Sequence, residues 1–317
     1  MPWGQVVLVF GVSSTTLKRY LRLWHETDRT PAEAPEHSIG SMTMQRMTSI
    51  GIGTTAGLGA LLGAGWLGLK VEPASFAPYP ESTVRPETVA LPADLPAPVD
   101  RYFRAALGNR VPIIESAVLT GRGRLRFAGL TFPTRIRFTH EAGRGYRHYI
   151  ECTWFGMPVL KVHEAYLDGH ARMELPFGVV ANEPEVDMAA NLSLWGESIW
   201  LPSIIATDPR VRWEAIDRTS ARLVVPFGEA EDNFTVAFDE QTGLIRSMEA
   251  LRYRAARDAA KLPWRIEPLG WLTFHGLRLP SPAAVTWLDQ ARPWLVVSLE
   301  HVAYNVEVSQ YIHASGL

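Results

Sequence analysis

TGRGRLRFAGLTFPTRIRF, residues 120–138, carries two alternating runs either side of Ala128-Gly129. Ala128-Gly129 is read as a two-residue hairpin turn. One face of the resulting ribbon then carries Leu125, Phe127, Leu130, Phe132, Ile136 and Phe138, together with Gly121, Gly123 and Thr134. The other face carries Arg122, Arg124, Arg126, Arg135 and Arg137. A slip of one residue would move every side chain to the wrong face, so a single register that sorts both strands is strong evidence for a half-buried antiparallel pair.

Working outward, further strand-length segments follow, separated by turn residues: Tyr146–Thr153, Val159–Leu167 and His170–Leu175, with Asp168-Gly169 as a second hairpin turn. Then come Val211–Ile216, Arg222–Val225, Phe234–Phe238, Leu244–Tyr253, Trp264–Phe274, Ala284–Trp287 and Trp294–Val308. One segment breaks the period. Between Val186 and Ile205, Met188, Leu192, Trp195 and Ile199 fall at helical spacing, with Gly196 and Pro202 placed to bend or divide the helix. A shorter amphipathic helix, Val99–Leu107, stops at Gly108. The expected fold class is mainly β, or α+β: a large curved antiparallel sheet or half-barrel of about a dozen strands with a few helices packed on it.

On the N-terminal side, Met47–Leu69 holds 23 residues without a charge, between Arg46 and Lys70. As a helix it spans about 34 Å, enough for a hydrocarbon core of about 30 Å. It is read as one transmembrane helix, against the alternative of a cleaved signal peptide. The globular part is expected outside the cytoplasm. Residues 70–98 contain Pro73, Pro78, Pro80, Pro86, Pro92, Pro96 and Pro98 and are read as a stiff linker. Residues 1–46 are an N-terminal extension in which Met42, Met44 and Met47 are clustered, which suggests that the natural start is Met42 or Met44. The globular domain is assigned to residues 99–317.

Composition narrows the function. The 317 residues are 47% hydrophobic and 20% charged, with a formal net charge of −2. That fits a packed domain and gives no electrostatic pull toward nucleic acid. The single cysteine, Cys152, excludes an intrachain disulfide and a cysteine-based zinc site, and it alternates with Ile150 and Trp154 as a small buried residue would. LPADLPAPVDRYFRAALG (91–108), YLDGHARMELPFGVV (166–180), LWGESIWLPSIIATDPRVRWEAID (194–217) and FDEQTGLIRSMEALRYR (238–254) resemble an uncharacterised family of bacterial proteins, many of them membrane-anchored, over roughly residues 70 to 310. FHGLRLPSPAAVTW (274–287), followed by a strand ending in Tyr304-Asn305-Val306, is similar to the closing hairpins of the LolA-like lipoprotein-carrier fold. That resemblance implies a sheet curled around helices and a cavity for acyl chains.

No catalytic motif stands out. His163-Glu164 and His170 lack the H-E-x-x-H spacing of a helical zinc site, and Gly196-Glu197-Ser198-Ile199-Trp200 lacks the second glycine of a nucleophile elbow. Gly121-Arg122-Gly123 and Gly143-Arg144-Gly145 open no helix and make no phosphate loop. No metal or organic cofactor is expected. The favoured function is a membrane-tethered carrier or binding domain for a lipid or other apolar ligand. Its pocket is expected between the sheet residues Leu125, Phe127, Phe132 and Phe138 and the helix residues Leu192, Trp195, Ile199 and Trp200. Two alternatives stand beside it: a hydrolase-type enzyme with Glu197 and His163 as its polar candidates, and a structural envelope protein. Glu197 among tryptophans would have a raised pKa as a buried acid, but is otherwise a solvent-facing helix residue. The arginine face is expected either to pair with Glu141, Glu151, Glu164 and Glu174 or to meet anionic lipid headgroups.

Overall fold

The computed structural model describes residues 63–176 and 178–314. Residues 47–62 of the expected transmembrane segment and the whole N-terminal extension lie outside the described residues; residues 63–68 are helical. Among the described residues no helix is long and apolar enough to cross a membrane.

β1 (Thr88–Ala90) and β2 (Arg110–Pro112) form a small ribbon flanking α1 (Ala97–Leu107). Prolines open α1, where a missing N–H costs nothing, and Gly108 ends it at φ 83°. A meander of six strands follows: β3 (Ser116–Phe127), β4 (Leu130–Glu141), β5 (Gly145–Trp154), β6 (Met157–Leu167), β7 (His170–Leu175) and β8 (Gly178–Ala181). α2 (Pro184–Gly196), a 3-10 turn (Glu197–Ile199) and α3 (Ile204–Thr207) then cross to a second meander. This consists of β9 (Arg212–Ala215), β10 (Ser220–Phe227), β11 (Ala230–Phe238), β12 (Ile245–Arg252) and β13 (Leu262–Pro268). β14 (Trp271–Phe274) and β15 (Leu277–Pro280) make a separate ribbon, and β16 (Ala283–Trp287), β17 (Leu295–Tyr304) and the short α4 (Ser309–Ile312) complete the chain.

Thirteen strands form one antiparallel sheet in the order β8-β7-β6-β5-β4-β3-β17-β16-β13-β12-β11-β10-β9. The first hairpin has the expected register: Phe127 faces Leu130, Leu125 faces Phe132 and Arg122 faces Arg135. Ala128 and Gly129 both take positive φ, as a type I′ turn requires. Asp168 and Gly169 do the same between β6 and β7. The last strand pairs with the first of the large sheet, β17 with β3, so this seam joins the two meanders. It needs glycines. A Cβ at Gly121 would lie 2.2 Å from the Ser298 carbonyl oxygen, and one at Gly123 would lie 1.9 Å from that of Val296.

The sheet curls. α2 packs against β6 and β7 from one meander and against β10 and β12 from the other. β6 and β12 are seven strand spacings apart in the sheet, about 34 Å if it were flat. A helix about 10–12 Å wide touches both only if the sheet wraps around it. Asn191 of α2 closes the wrap: its Oδ1 accepts from Tyr166 Oη at 3.2 Å, and its Nδ2 donates to Pro226 O at 3.1 Å and Asp232 Oδ2 at 2.9 Å.

Three expectations need correction. Trp264–Phe274 is not one strand. Pro268 offers no N–H, and Gly270 approaches the Ser281 carbonyl so closely that a Cβ would sit 2.8 Å from it, so the chain turns out of the large sheet into β14. Trp294–Val308 ends as a strand at Tyr304, where Asn305 takes φ 51° and its side chain bonds Glu115 N at 2.8 Å and Ile113 O at 2.8 Å. Of the four acids expected opposite the arginines, only Glu151 pairs with one, at 2.6 Å from Arg135. Glu164 instead accepts from Tyr146, and Glu174 pairs with Arg172.

Candidate functional site

The concave face of the sheet and the underside of α2 enclose a cavity of about 110 Å³. The period of two decides which side chains reach it. On β4 and β5 the pairs Phe138–His148 and His140–Tyr146 point inward, as do Val162 and Glu164 on β6 and Met173 on β7. The second meander contributes Arg252, Trp264 and Ile266, and β16 contributes Trp287. From the helical segment come Ala189, Ser193, Glu197, Ile199 and Trp200. The wall is therefore largely apolar and aromatic, with few polar groups.

Those polar groups fall in two sets. In the first, Arg252 Nε donates to Ala189 O at 3.0 Å and Nη2 to Ser193 Oγ at 2.9 Å, while its guanidinium lies 4.6 Å from the Trp264 ring centroid. Burial lowers its pKa, and the charges of Glu164, Tyr146 and Glu197 act in the opposite direction. Tyr146 donates to Glu164 Oε1 at 2.5 Å; burial, then Glu164, pushes this phenol well above the usual tyrosine range.

The second set is His140, His148 and Glu197. His148 is held between two rings, with centroids 3.9 Å from Tyr146 and 4.0 Å from Phe138. His140 and His148 are 1% and 3% exposed. Glu197 begins the 3-10 turn at the end of α2, which approaches β13 closely because residue 196 is glycine: a Cβ there would lie 2.5 Å from Ile266 Cδ1. The following residues are fixed by Trp200, whose Nε1 donates to Pro280 O at 2.9 Å and whose carbonyl accepts from Tyr304 Oη at 2.5 Å. The imidazole Nε2 atoms of His140 and His148 come within 3.0 and 2.9 Å of Glu197 Oε2. Neither approach has the direction of a hydrogen bond, and among the described residues all three atoms are buried without a hydrogen-bond partner. Burial alone would raise the Glu197 carboxyl; the two imidazoles outweigh it and bring it down to about 2. This corrects both sequence readings of Glu197, which is neither solvent-facing nor a raised-pKa acid. Burial lowers the pKa of His140.

Of the expected pocket residues, Phe138, Ile199 and Trp200 line the cavity. Leu125, Leu192 and Trp195 are buried in the core behind it, and Phe127 and Phe132 are half-buried near the hairpin tip. His163 does not meet Glu197. It pairs in register with Tyr149 on the opposite face of the sheet, with ring centroids 4.6 Å apart. His140 and His148 were missed although their parity with Phe138 was legible; the turn at Gly143 that sets one against the other carries a weaker signal than Asp-Gly.

The arginine face lies on the convex side, where the chain's own residues 69–76 run across it. Arg122 pairs with Glu300 at 2.5 Å, Arg124 with Glu72 and the Leu69 carbonyl, and Arg126 with Gln290. Arg135 reaches the Ala74 carbonyl at 3.0 Å, and Arg135 and Arg137 lie over the Phe76 ring.

The sequence pattern of a family of unknown function, DUF6544, matches residues 85–298, in agreement with the uncharacterised family expected from the four quoted runs. No curated protein matches the chain. Among solved structures, a DUF1329 family protein from Desulfovibrio piger is similar at 12% identity and a TM-score of 0.42, over 69% of this chain and 97% of that one. A LolA superfamily protein from Nitrosomonas europaea gives 8% identity and a TM-score of 0.42, over 69% and 97%. A putative outer membrane lipoprotein-sorting protein domain from Vibrio parahaemolyticus gives 10% and 0.38, over 68% and 92%.

Proposed function

We propose that this chain, which belongs to the DUF6544 family of unknown function, binds an apolar ligand with one polar end in the cavity between its concave sheet face and α2. One observation carries the reading. The cavity is walled by Val162, Met173, Trp200, Trp264 and Trp287, yet Arg252 and Glu164 also reach it. A fully packed core would leave no such space, and apolar walls with a few fixed polar groups are what a small-ligand site requires. Arg252 uses two of its five N–H donors on α2, which leaves donors for an anionic or carbonyl end group.

Energy transfer tests this, because Trp200, Trp264, Trp287 and Trp294 all line the cavity. A dansyl-labelled fatty acid should show saturable transfer from tryptophan that unlabelled fatty acid reverses. Ala189→Phe, which fills the space from α2, should abolish it. Transfer that is absent, or unaffected by that substitution, refutes the reading.

The same proposal has Met47–Leu69 anchor the domain at a membrane, on its extracytoplasmic side. Supporting it, the helical residues 63–68 meet the tip of the β5–β6 hairpin, where Trp154 Nε1 donates to Gly65 O at 2.9 Å and Phe155 N to Gly68 O at 2.9 Å. Trp66, Leu67, Trp154, Phe155, Met157 and Val159 are all exposed there, an apolar patch beside the segment that would enter the bilayer. The chain should stay with membranes through alkaline carbonate and be digested by protease added to spheroplasts. Release by carbonate refutes the anchor, and protection from protease refutes the orientation.

A further inference from the structure

His140, His148 and Glu197 present three buried donor atoms to one point, and among the described residues no well-directed hydrogen bond satisfies them. The candidate atoms all lie within 4.8 Å of one another. Two explanations compete. One is a closed hydrogen-bond cluster, in which each imidazole N–H would be aimed at the carboxylate. The two nitrogen–oxygen approaches, at 3.0 and 2.9 Å, lack that direction. Buried polar atoms in folded proteins are nearly always paired, so three orphans at one place call for a missing partner. Arg252, the nearby cation, is not that partner, since its hydrogen bonds go to Ala189 O and Ser193 Oγ.

We propose that His140, His148 and Glu197 bind one divalent transition-metal ion. Two imidazoles and a carboxylate suit zinc or iron(II) and disfavour magnesium and calcium, which take all-oxygen sets. The donors come from three elements fixed independently of any ion: β4, β5 and the turn after α2. His148 is clamped between Phe138 and Tyr146, and the turn is tied down through Trp200. Such outer contacts are what orient metal ligands. His148 and Glu197 border the cavity, while His140 is not among its lining residues. Three protein ligands would leave a coordination position for water or, because His148 and Glu197 border the cavity, for the polar end of a ligand held there. The inference does not need the apolar ligand, although the two share the cavity.

The test uses the full chain, stripped with chelator, reloaded with zinc or cobalt(II) and desalted. About one ion per chain should remain, and cobalt(II) should give ligand-field absorption distinct from the aqueous ion. His140→Ala, His148→Ala and Glu197→Gln should each weaken zinc binding by about tenfold or more, since even outer-shell changes cost 10–100-fold. His163→Ala, on the opposite sheet face, should change nothing. If the three variants fail to fold, the wild type decides: zinc should raise its melting temperature and chelator should reverse the rise. Wild-type protein that is folded, retains no ion and shows no zinc-dependent shift overturns the proposal. The dansyl probe, read on the same samples, separates the claims. Probe binding without metal leaves the ligand reading standing alone, and metal without probe binding does the reverse.

Discussion

Cys152 and Asn191 show what single side chains do in this sheet. Cys152 is 1% exposed on the concave face, where burial pushes its thiol up to about 12 despite a hydrogen bond with Thr134. The thiolate is the reactive form, so at pH 8 native protein should react with a disulfide reagent far more slowly than unfolded protein; equal rates would contradict the burial. Its alternation with Ile150 made this legible in the sequence. Asn191 was not legible, because its partners Tyr166, Pro226 and Asp232 lie 25 to 41 positions away. Asn191→Ala strands a hydroxyl, a carbonyl and a carboxylate and should cost about 1–3 kcal/mol for each group left unpaired, read by urea unfolding. The loss should depend on pH. Burial raises the Asp232 pKa, and the Asn191 hydrogen bond partly offsets that. A raised folded-state pKa means that the native acid holds its proton more tightly. The penalty is therefore fully present above the folded pKa and disappears as pH falls below the unfolded value, about 3.9. The deficit should shrink between pH 7 and pH 4.

At the scale of elements, the clearest case is the seam between β3 and β17. The glycines at 121 and 123 read as strand residues on the apolar face, and the structure supplies their reason: the backbone of β17 occupies the space of a side chain. Gly121→Ala and Gly123→Ala should each destabilise by at least about 1–3 kcal/mol, the cost of overpacking. Gly129, in the open turn at φ 82° with no neighbour in reach, should lose about 1–2 kcal/mol from backbone conformation alone. Chemical denaturation ranks the three; a tolerated alanine at 123 would contradict the close approach. Hairpins with Asp-Gly or Ala-Gly turns were legible because turn chemistry and period two agree. The split of β13 from β14 was not, since Trp264–Phe274 keeps an apolar character through Pro268 and Gly270, and the constraint on Gly270 comes from Ser281 on another strand.

For the whole molecule, alternation gave about a dozen strands and two helical segments, but not their closure. An apolar sheet face has the same sequence whether it lies flat, lines a cavity or is filled. What bends this sheet is the pair of long-range events just described: β17 returning beside β3, and α2 bridging β6 to β12. The site depends on both, because its histidines come from the first meander, Arg252 and Trp264 from the second, Trp287 from β16 and Glu197 from the link between the meanders. Removing residues 295–314 deletes a central strand and should abolish cooperative thermal unfolding; a retained sharp transition would mean that the meanders fold independently. The proposed function requires the enclosed space to hold an apolar ligand. Native mass spectrometry of the full chain, purified under mild conditions, tests it most directly. The predicted result is a bound species, close to one per chain, that extracts into organic solvent and is absent from the Ala189→Phe variant. A bare protein mass that stays bare after incubation with phospholipid vesicles would contradict it.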